Sequence, residues 1–172
     1  MTKKELNDLI INKKLSEVKL ESLIKKYPTK VNWYCISYFQ KLSEKFIEKY
    51  QDKLDWARIS TCQKLSESFI EKFQDRVNWR NISTNQKLSE NFIEKFQDKV
   101  NWFYISQYQT LSESFIEKFK DKVYWDCINY CQKLSPKFII RNIDKITKLI
   151  FENKHYKDLP ENIKLLLRLK IK

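Results

Sequence analysis

The sequence contains no glycine, and this absence removes several kinds of functional site from consideration. Its 172 residues also include only three prolines and one histidine. Phosphate-binding loops and the nucleophile elbow of many hydrolases need glycine where the backbone turns sharply or approaches a ligand closely. The sequence therefore predicts neither a glycine-rich nucleotide site nor a hydrolase of that type.

Histidine and cysteine are too few and too scattered to build a metal site or an acid–base centre. The single histidine, His155, lies between Lys154 and Tyr156, a setting typical of a surface residue. Cys127 and Cys131 are four residues apart and could share a helix face, but no second pair or nearby histidine completes a zinc site. We therefore expect no metal, no cofactor and no enzymatic activity.

Carboxylates do recur in pairs four residues apart, such as Glu67 with Glu71 and Glu90 with Glu94. An acid–base pair needs two carboxyl groups in different environments. These pairs recur identically in successive copies of a repeat, so we expect them on a solvated face.

Long apolar runs are missing as well. No segment reaches the roughly 18 apolar residues that a bilayer-spanning helix needs. The first residues, MTKKELNDLIINKKLSE, mix acids with bases and interrupt their apolar run, unlike a signal peptide. We expect no membrane segment and an intracellular, non-secreted protein, in which the cysteines are free thiols: Cys35, Cys62, Cys127 and Cys131.

What the chain has instead is a repeat of 23 residues between Lys41 and Gln132. The four copies are KLSEKFIEKYQDKLDWARISTCQ, KLSESFIEKFQDRVNWRNISTNQ, KLSENFIEKFQDKVNWFYISQYQ and TLSESFIEKFKDKVYWDCINYCQ. A tryptophan marks each period, and the first precedes the clean copies: Trp33, Trp56, Trp79, Trp102 and Trp125. Tandem repeats of this length predict a stack of small units rather than a globule with a central cleft.

Each copy carries the signals for two short helices. In the second copy, Ser66 is a candidate N-cap and Glu67 a first-turn acid suited to the helix dipole. The apolar residues that follow share one helical face and predict its core side: Phe69, Ile70, Phe73 and Val77. Asn78 is a second candidate N-cap, and the second helix is expected from Trp79 to Gln86. Helices this short are marginal alone, so the pattern predicts an all-α fold, an α-solenoid of stacked helix pairs with largely buried tryptophans.

The two ends resemble caps of one repeat domain spanning residues 1–172. Residues 1–40 are interpreted as an N-terminal cap and a degenerate repeat, 41–132 as the four clean repeats, and 133–172 as a C-terminal cap. The net charge of +12 is divided among these segments as +4, +1 and +7, so the ends are basic and the repeats nearly neutral. A closing amphipathic helix is expected from Pro160 to Lys172, with Asp158 as its candidate cap and four apolar residues: Ile163, Leu166, Leu167 and Leu169.

Four positions of the second helix vary freely between copies: those one, two, five and six residues after each tryptophan. They share one side of the helix, here called the varied face, opposite the stripe of tryptophan, isoleucine and glutamine. Across the array these positions hold 7 aromatic residues and all four cysteines but no lysine or glutamate. Drift on a solvated face would have placed lysine and glutamate there. The candidate binding residues from this face are Tyr34, Tyr38, Arg58, Arg80, Asn81, Phe103, Tyr104, Tyr108 and Tyr130.

Two explanations of this composition stay open. Either the varied face is an inner layer whose residues pack against neighbours, or it meets a ligand. A partner protein is the favoured ligand, because helical solenoids present extended surfaces and aromatic residues make effective anchors.

Nucleic acid is the alternative ligand. Arg58, Arg80, the aromatic residues and the basic ends would suit a phosphate backbone and unstacked bases. The nearly neutral repeats argue against it, because a protein that neutralises a phosphate backbone should carry excess positive charge in every repeat. A small-ligand sink between helices is neither supported nor excluded, and the sequence does not determine the oligomeric state.

The unit LSESFIEKFQDRVNWRNISTNQ resembles the short tandem repeats of proteins from giant DNA viruses of amoebae and from some phages and bacteria. The resemblance covers about residues 20–140 and rests on LSE, FIEKF, DKV, tryptophan and IS at fixed spacing. It implies a repeat scaffold and a viral or phage-like source. It implies no particular activity and no site residues.

Overall fold

The computed structural model describes residues 1–171, and every regular element within them is a helix. The chain begins with α1 (Lys3–Asn12) and α2 (Glu17–Lys26). The second helices of the repeats, each starting at a tryptophan, are α3 (Trp33–Phe39), α5 (Trp56–Cys62), α7 (Trp79–Asn85), α9 (Trp102–Tyr108) and α11 (Trp125–Cys131). The first helices, each starting after a serine, are α4 (Glu44–Lys49), α6 (Glu67–Lys72), α8 (Glu90–Lys95), α10 (Glu113–Lys118) and α12 (Pro136–Arg141). The C-terminal cap consists of three 3-10 helices and one α-helix: η1 (Ile143–Lys145), η2 (Lys148–Glu152), η3 (Tyr156–Asp158) and α13 (Glu161–Lys170).

The chain divides into two compact units, Met1–Gln86 and Lys87–Lys172. In the first unit α1 packs on α3, α3 on α5, and α5 on α7. In the second unit α9 packs on α11, and α11 packs on η2 of the cap. Consecutive second helices are thus neighbours in each unit. The predicted fold class, an all-α solenoid of stacked short helix pairs, is confirmed in each unit.

Side-chain caps begin the repeat helices where the sequence predicted them. The Ser66 hydroxyl accepts a hydrogen bond from the backbone N–H of Phe69 at 3.2 Å. The Asn78 side-chain oxygen accepts one from the N–H of Asn81 at 3.0 Å. Each cap satisfies one of the N–H groups that a helix start leaves without an intrahelical partner. At Tyr124, where the sequence departs from this pattern, the helix start has no side-chain cap.

A buried glutamine after each second helix joins neighbouring repeats. The Gln63 amide nitrogen donates to the carbonyls of Ser37 (3.1 Å) and Gln40 (2.8 Å), and its amide oxygen accepts from the N–H of Leu42 at 2.9 Å. These carbonyls lie at the end of the preceding second helix, which leaves them without an intrahelical donor. We call this arrangement the glutamine clamp. It recurs at Gln86 and Gln132.

The clamp also explains why the second helix is shorter than expected. The prediction placed Gln86 inside α7, whereas the helix ends at Asn85 and Gln86 is its C-cap, with extended backbone angles. The side chain then turns back to the carbonyls of the previous repeat, at Ser60 and Gln63.

The C-terminal cap continues the clamp with asparagine. The Asn153 side-chain nitrogen donates to the carbonyls of Asn129 (2.7 Å) and Gln132 (2.8 Å), as a clamp glutamine would. Asn129 takes the place of the repeat serine and donates to the carbonyl of Lys145 at 3.0 Å. These bonds fix the cap residues around Asn153 against the end of α11.

The closing helix differs from its prediction at its start. It begins at Glu161 after Pro160, and no side chain caps it. Asp158 is therefore not the cap: it lies in η3, and the extended backbone of Leu159 separates it from the helix. Two of the four expected core residues are buried, Ile163 and Leu167, while Leu166 and Leu169 are exposed. The predicted end at Lys172 lies outside the described residues.

The core of each unit is aliphatic and phenylalanine-rich rather than centred on tryptophan. Ile59 and Ile70 are completely buried, whereas all five tryptophans keep part of their surface exposed. The Trp56 ring packs with its centre 5.0 Å from that of Phe73, and its indole N–H donates to the Gln51 carbonyl at 2.9 Å. The tryptophans are largely buried, as expected, but they lie at the edge of the core: the indole covers the outer side of the phenylalanine core while its N–H reaches a turn carbonyl.

Charged residues of the first helices join consecutive repeats. Lys118 pairs with Glu94. The Ser112 hydroxyl donates to the Glu90 carboxylate at 3.0 Å. The paired carboxylates lie on a solvated face, as expected, and they also link one repeat to the next. Exposed ion pairs of this kind contribute at most about 1 kcal/mol each.

Candidate binding surface

The varied face is accessible to solvent in both units. Cys35 is buried at 6% exposure, and every other varied residue is exposed or half-exposed. The varied face is therefore not an enclosed inner layer, although some of its residues also pack against neighbours. The shortage of lysine and glutamate on this accessible face needs another cause.

In the first unit, three candidate residues form a cluster that we call the tyrosine–arginine platform: Tyr34, Tyr38 and Arg58. The two tyrosine rings on α3 stack with centres 6.1 Å apart and planes inclined by 7°. The Arg58 guanidinium, from α5, lies 5.0 Å from the Tyr34 ring centre and 5.4 Å from that of Tyr38. The platform therefore spans two repeats, and its cation–π contacts hold the side chains in place.

The platform is exposed although its members contact one another. Tyr34 and Tyr38 keep 45% and 42% of their surface accessible, and Phe39 packs edge-on against Tyr38 with ring centres 4.7 Å apart. Side chains already ordered in the free protein lose less freedom when a partner binds. The platform is therefore suited to binding.

The other two candidates of the first unit lie on α7. Asn81 donates its side-chain N–H to the Ala57 carbonyl at 3.1 Å, so it links α7 to α5. Arg80 is exposed. The structure does not add either residue to the platform.

The second unit carries a separate aromatic group. The Tyr104 and Tyr108 rings on α9 stack with centres 6.0 Å apart. Phe103 meets Tyr104 edge-on at 5.2 Å and Tyr124 at 5.4 Å. Tyr124 is 52% exposed and was not among the predicted site residues. Its signal in the sequence was the loss of the N-cap residue that the other repeats carry at this position.

Tyr130 lies on α11 and keeps 50% of its surface exposed. A groove of about 630 Å³ opens beside it. We call it the C-terminal groove; the lining residues relevant here are Tyr108, Tyr130, Lys133, Glu152, Lys154 and His155. Lys133 and Lys154 were not predicted as site residues, and His155 was expected on an ordinary surface. The cap residues reach this groove through the hydrogen bonds of Asn153, which have no local sequence signature.

Positive charge is distributed unevenly around each repeat. First-helix and turn cations pair with acids of the preceding repeat, as Lys72 does with Glu48 and Lys122 with Asp98 at 3.2 Å. The lysine that follows a clamp glutamine forms no ion pair within the described part of the chain at Lys41, Lys64 and Lys133. Of these lysines, Lys133 lies beside the varied-face residues Tyr108 and Tyr130.

The four cysteines are free thiols. Burial raises the pKa of the Cys35, Cys62, Cys127 and Cys131 thiols, and at Cys131 the nearby Lys154 ammonium partly opposes this. A raised pKa keeps a thiol protonated and unreactive at neutral pH. Within residues 1–171, no group of three or more histidine, cysteine, aspartate or glutamate side chains is placed to hold a metal ion.

Alkylation tests this placement of the thiols. The reacting form is the thiolate, so a raised pKa lowers the reactive fraction at neutral pH and the rate increases as the pH rises. With iodoacetamide near pH 7.5, we expect exposed Cys62 to react before buried Cys35, and both more slowly than a cysteine in a short peptide. Mass spectrometry of peptides from timed samples gives the order. Labelling of Cys35 as fast as Cys62 would contradict the burial of Cys35.

Comparison with protein-family models, with curated proteins and with solved structures finds no match to this chain. Among residues 1–171, no helix combines the length and apolar character required to cross a membrane. The fold and the surface therefore define the class: a helical-repeat protein with an exposed, varied aromatic face.

Proposed function

We propose that this chain is a non-enzymatic scaffold that binds a partner protein through the varied face of its second helices. The tyrosine–arginine platform is the observation that carries the proposal. Tyrosine and arginine are enriched at the energetic centres of protein interfaces, whereas lysine and glutamate are depleted there. The varied face has this composition and is open to solvent.

The variation between copies favours a protein over nucleic acid. A phosphate backbone is uniform, so a protein that follows it benefits from the same cation in every repeat. The varied face instead changes from Tyr38 to Thr61 to Thr84 at one repeat position. An irregular surface of this kind suits an irregular partner.

Nucleic acid remains the second candidate because of the unpaired lysines that follow the clamp glutamines, at Lys41, Lys64 and Lys133. They add positive charge at the same repeat position in three places, although the fourth copy has Thr110 there. Salt separates the two candidates. Partner-protein affinity should change less than about 10-fold between 50 and 200 mM salt, whereas six to ten phosphate contacts would cost about 10³ to 10⁵ in affinity over that range.

We also propose where the scaffold acts. The free thiols suit a reducing compartment, so the scaffold is proposed to act inside the cell that produces it. The repeat resemblance supports a viral or phage-like source. No catalytic role is proposed, because the surface groups described above serve as contacts rather than as a nucleophile with its base.

The direct test begins with chemical crosslinking of the native protein in its producing cells and identification of the crosslinked partner. Affinity is then measured calorimetrically with the purified partner at about 150 mM salt. We expect Tyr38→Ala and Arg58→Ala each to weaken binding at least about 10-fold, equivalent to about 1.4 kcal/mol. Both substitutions remove a contact within the exposed platform, so the fold should persist.

Lys45 provides the matched control. It is an exposed lysine on α4, away from the varied face, and Lys45→Ala should bind as the unmodified protein does. Wild-type affinity in both platform variants, with a purified protein partner bound, would refute the assignment of the platform as the binding surface.

A further inference from the structure

We propose that the C-terminal groove is a binding site for a nucleoside phosphate, with the base against Tyr108 and Tyr130 and the phosphate on Lys133 and Lys154. The site lies in the second unit and does not depend on the partner protein proposed above. It uses side chains from two repeats and the cap.

The two tyrosines provide aromatic faces for a base. Tyr108 is 53% exposed and Tyr130 50% exposed, and they belong to the packed helices α9 and α11. Among residues 1–171 the two rings make no contact with each other. Every base has a face that can stack on tyrosine.

The two lysines are available to bind phosphate, because the helix C-terminal carbonyls that a lysine could contact already accept other hydrogen bonds. Lysines near a helix C-terminus ordinarily interact with its last carbonyls. At α9 and α11 those carbonyls already accept hydrogen bonds from Gln132 (3.1 and 2.8 Å) and Asn153 (2.7 and 2.8 Å). Lys133 and Lys154 form no ion pair within residues 1–171, and lysine is a common phosphate ligand.

The remaining polar groups of the groove suit the rest of a nucleotide. The Gln107 amide offers a donor and an acceptor to a base edge, and the Glu152 carboxylate can accept hydrogen bonds from ribose hydroxyls. His155 is half-buried, and its Nδ1 lies 3.7 Å from an Asp158 side-chain oxygen. Two ammonium groups oppose one carboxylate in the lining, so an anion is favoured.

The size and lining of the groove suit a nucleotide better than a bare phosphate or an acidic peptide. Its volume of about 630 Å³ falls within the ~300–1,000 Å³ typical of small-molecule sites. A bare phosphate would leave both tyrosines unused, and an acidic peptide would use the lysines but not the two exposed tyrosine rings. The same chemistry can come from a free nucleotide or from a terminal nucleotide of a strand.

Isothermal titration calorimetry of the full chain tests the proposal with AMP, adenosine and pyrophosphate as probes. We expect saturable binding of AMP with one site per chain. Adenosine and pyrophosphate should each bind at least about 10-fold more weakly, because adenosine lacks the phosphate and pyrophosphate lacks the base. No saturable heat with AMP, or pyrophosphate binding as tightly as AMP, would overturn the proposal.

Variants locate the site. Lys133→Gln with Lys154→Gln, and separately Tyr108→Ser with Tyr130→Ser, should each reduce AMP affinity at least about 10-fold while circular dichroism stays unchanged. The control is Lys41→Gln with Lys64→Gln, which removes the corresponding unpaired lysines of the first unit and should leave AMP binding intact. Unchanged AMP affinity in folded groove variants would place the ligand elsewhere and overturn the assignment.

Two further probes identify the source of the ligand. A single-stranded hexanucleotide that binds more tightly than AMP, with the same loss in the lysine variant, indicates a strand end; weaker binding indicates a free nucleotide. Hexaglutamate binding more tightly than AMP would overturn the nucleotide assignment in favour of an acidic peptide. The platform variants Tyr38→Ala and Arg58→Ala should not affect AMP binding, so failure of this site and failure of the partner proposal are distinguishable.

Discussion

Replacing Gln63 by alanine is expected to lower the free energy of unfolding by about 3–5 kcal/mol, because each of three buried backbone groups left without a partner costs about 1–3 kcal/mol. The groups are the carbonyls of Ser37 and Gln40 and the N–H of Leu42. Gln63 itself is 5% exposed, so water cannot readily replace its amide. Urea denaturation followed by circular dichroism measures the change.

Gln107→Ala is the matched control for the clamp. Gln107 is a half-exposed glutamine on α9, in the second unit, and its replacement should change stability by no more than about 0.5 kcal/mol. A loss below about 1 kcal/mol for Gln63→Ala would mean that the glutamine clamps do not hold the repeats together.

The second large effect is expected for Ile59→Ala, which should lower the free energy of unfolding by about 3–4 kcal/mol, within the usual range for a fully buried isoleucine. Ile59 is completely buried at the centre of α5. Removing its side chain leaves a cavity between packed second helices, which short helices cannot fill without losing their mutual contacts. The same urea titration gives the value.

Thr61, two residues further along the same helix, is the comparison. It lies on the varied face and is half-exposed, so Thr61→Ala should cost less than about 1 kcal/mol. If Thr61→Ala were the more damaging change, the inner and outer sides of the second helix would have been assigned the wrong way round.

Trp56→Ala should cost less than the ~3–5 kcal/mol typical of a large aromatic residue removed from a core. The ring keeps part of its surface exposed, and the Phe69 and Phe73 rings beneath it remain in place. We expect about 2–3 kcal/mol in a urea titration. A loss above about 4 kcal/mol would show that the indole is a core residue in solution.

Features encoded within one repeat were predictable from the sequence. Ser66 and Asn78 cap helices as predicted because a cap depends on side chains only three residues away. The apolar spacing identified buried residues correctly, since Phe69, Ile70, Phe73 and Val77 are all buried, but α6 ends at Lys72, so Phe73 is its C-cap and Val77 lies in the turn that follows. Local periodicity and capping chemistry carry this information directly.

Features that depend on a neighbouring repeat were not predictable in the same way. The glutamine that closes each repeat was predicted as the last residue of the second helix. The structure shows instead that the Gln63 amide donates hydrogen bonds to backbone carbonyls 23 and 26 residues earlier. The tryptophans are largely buried, as expected of large aromatic residues, but their place at the edge of the core could not be predicted. Their exposure depends on where the indole N–H finds a carbonyl, here at Gln51 for Trp56.

The candidate binding surface was likewise predictable only in part. Composition alone marked the varied face, since a lack of lysine and glutamate can be counted. It could not distinguish packing from exposure, which depends on what covers the helix. It also could not place Lys154 and His155 beside Tyr130, because the cap reaches that position through Asn153 and not through any repeated spacing.

The central claim is that partner binding takes place on the varied face, and site-specific photocrosslinking tests it most directly. Benzoylphenylalanine is introduced at Tyr38 on the varied face of α3 or at Lys45 on the exposed side of α4, and each protein is irradiated in the producing cells. We expect a crosslinked partner protein from position 38, competed away by the unmodified chain, and none from position 45. Crosslinking from position 45 with none from position 38 would contradict this claim.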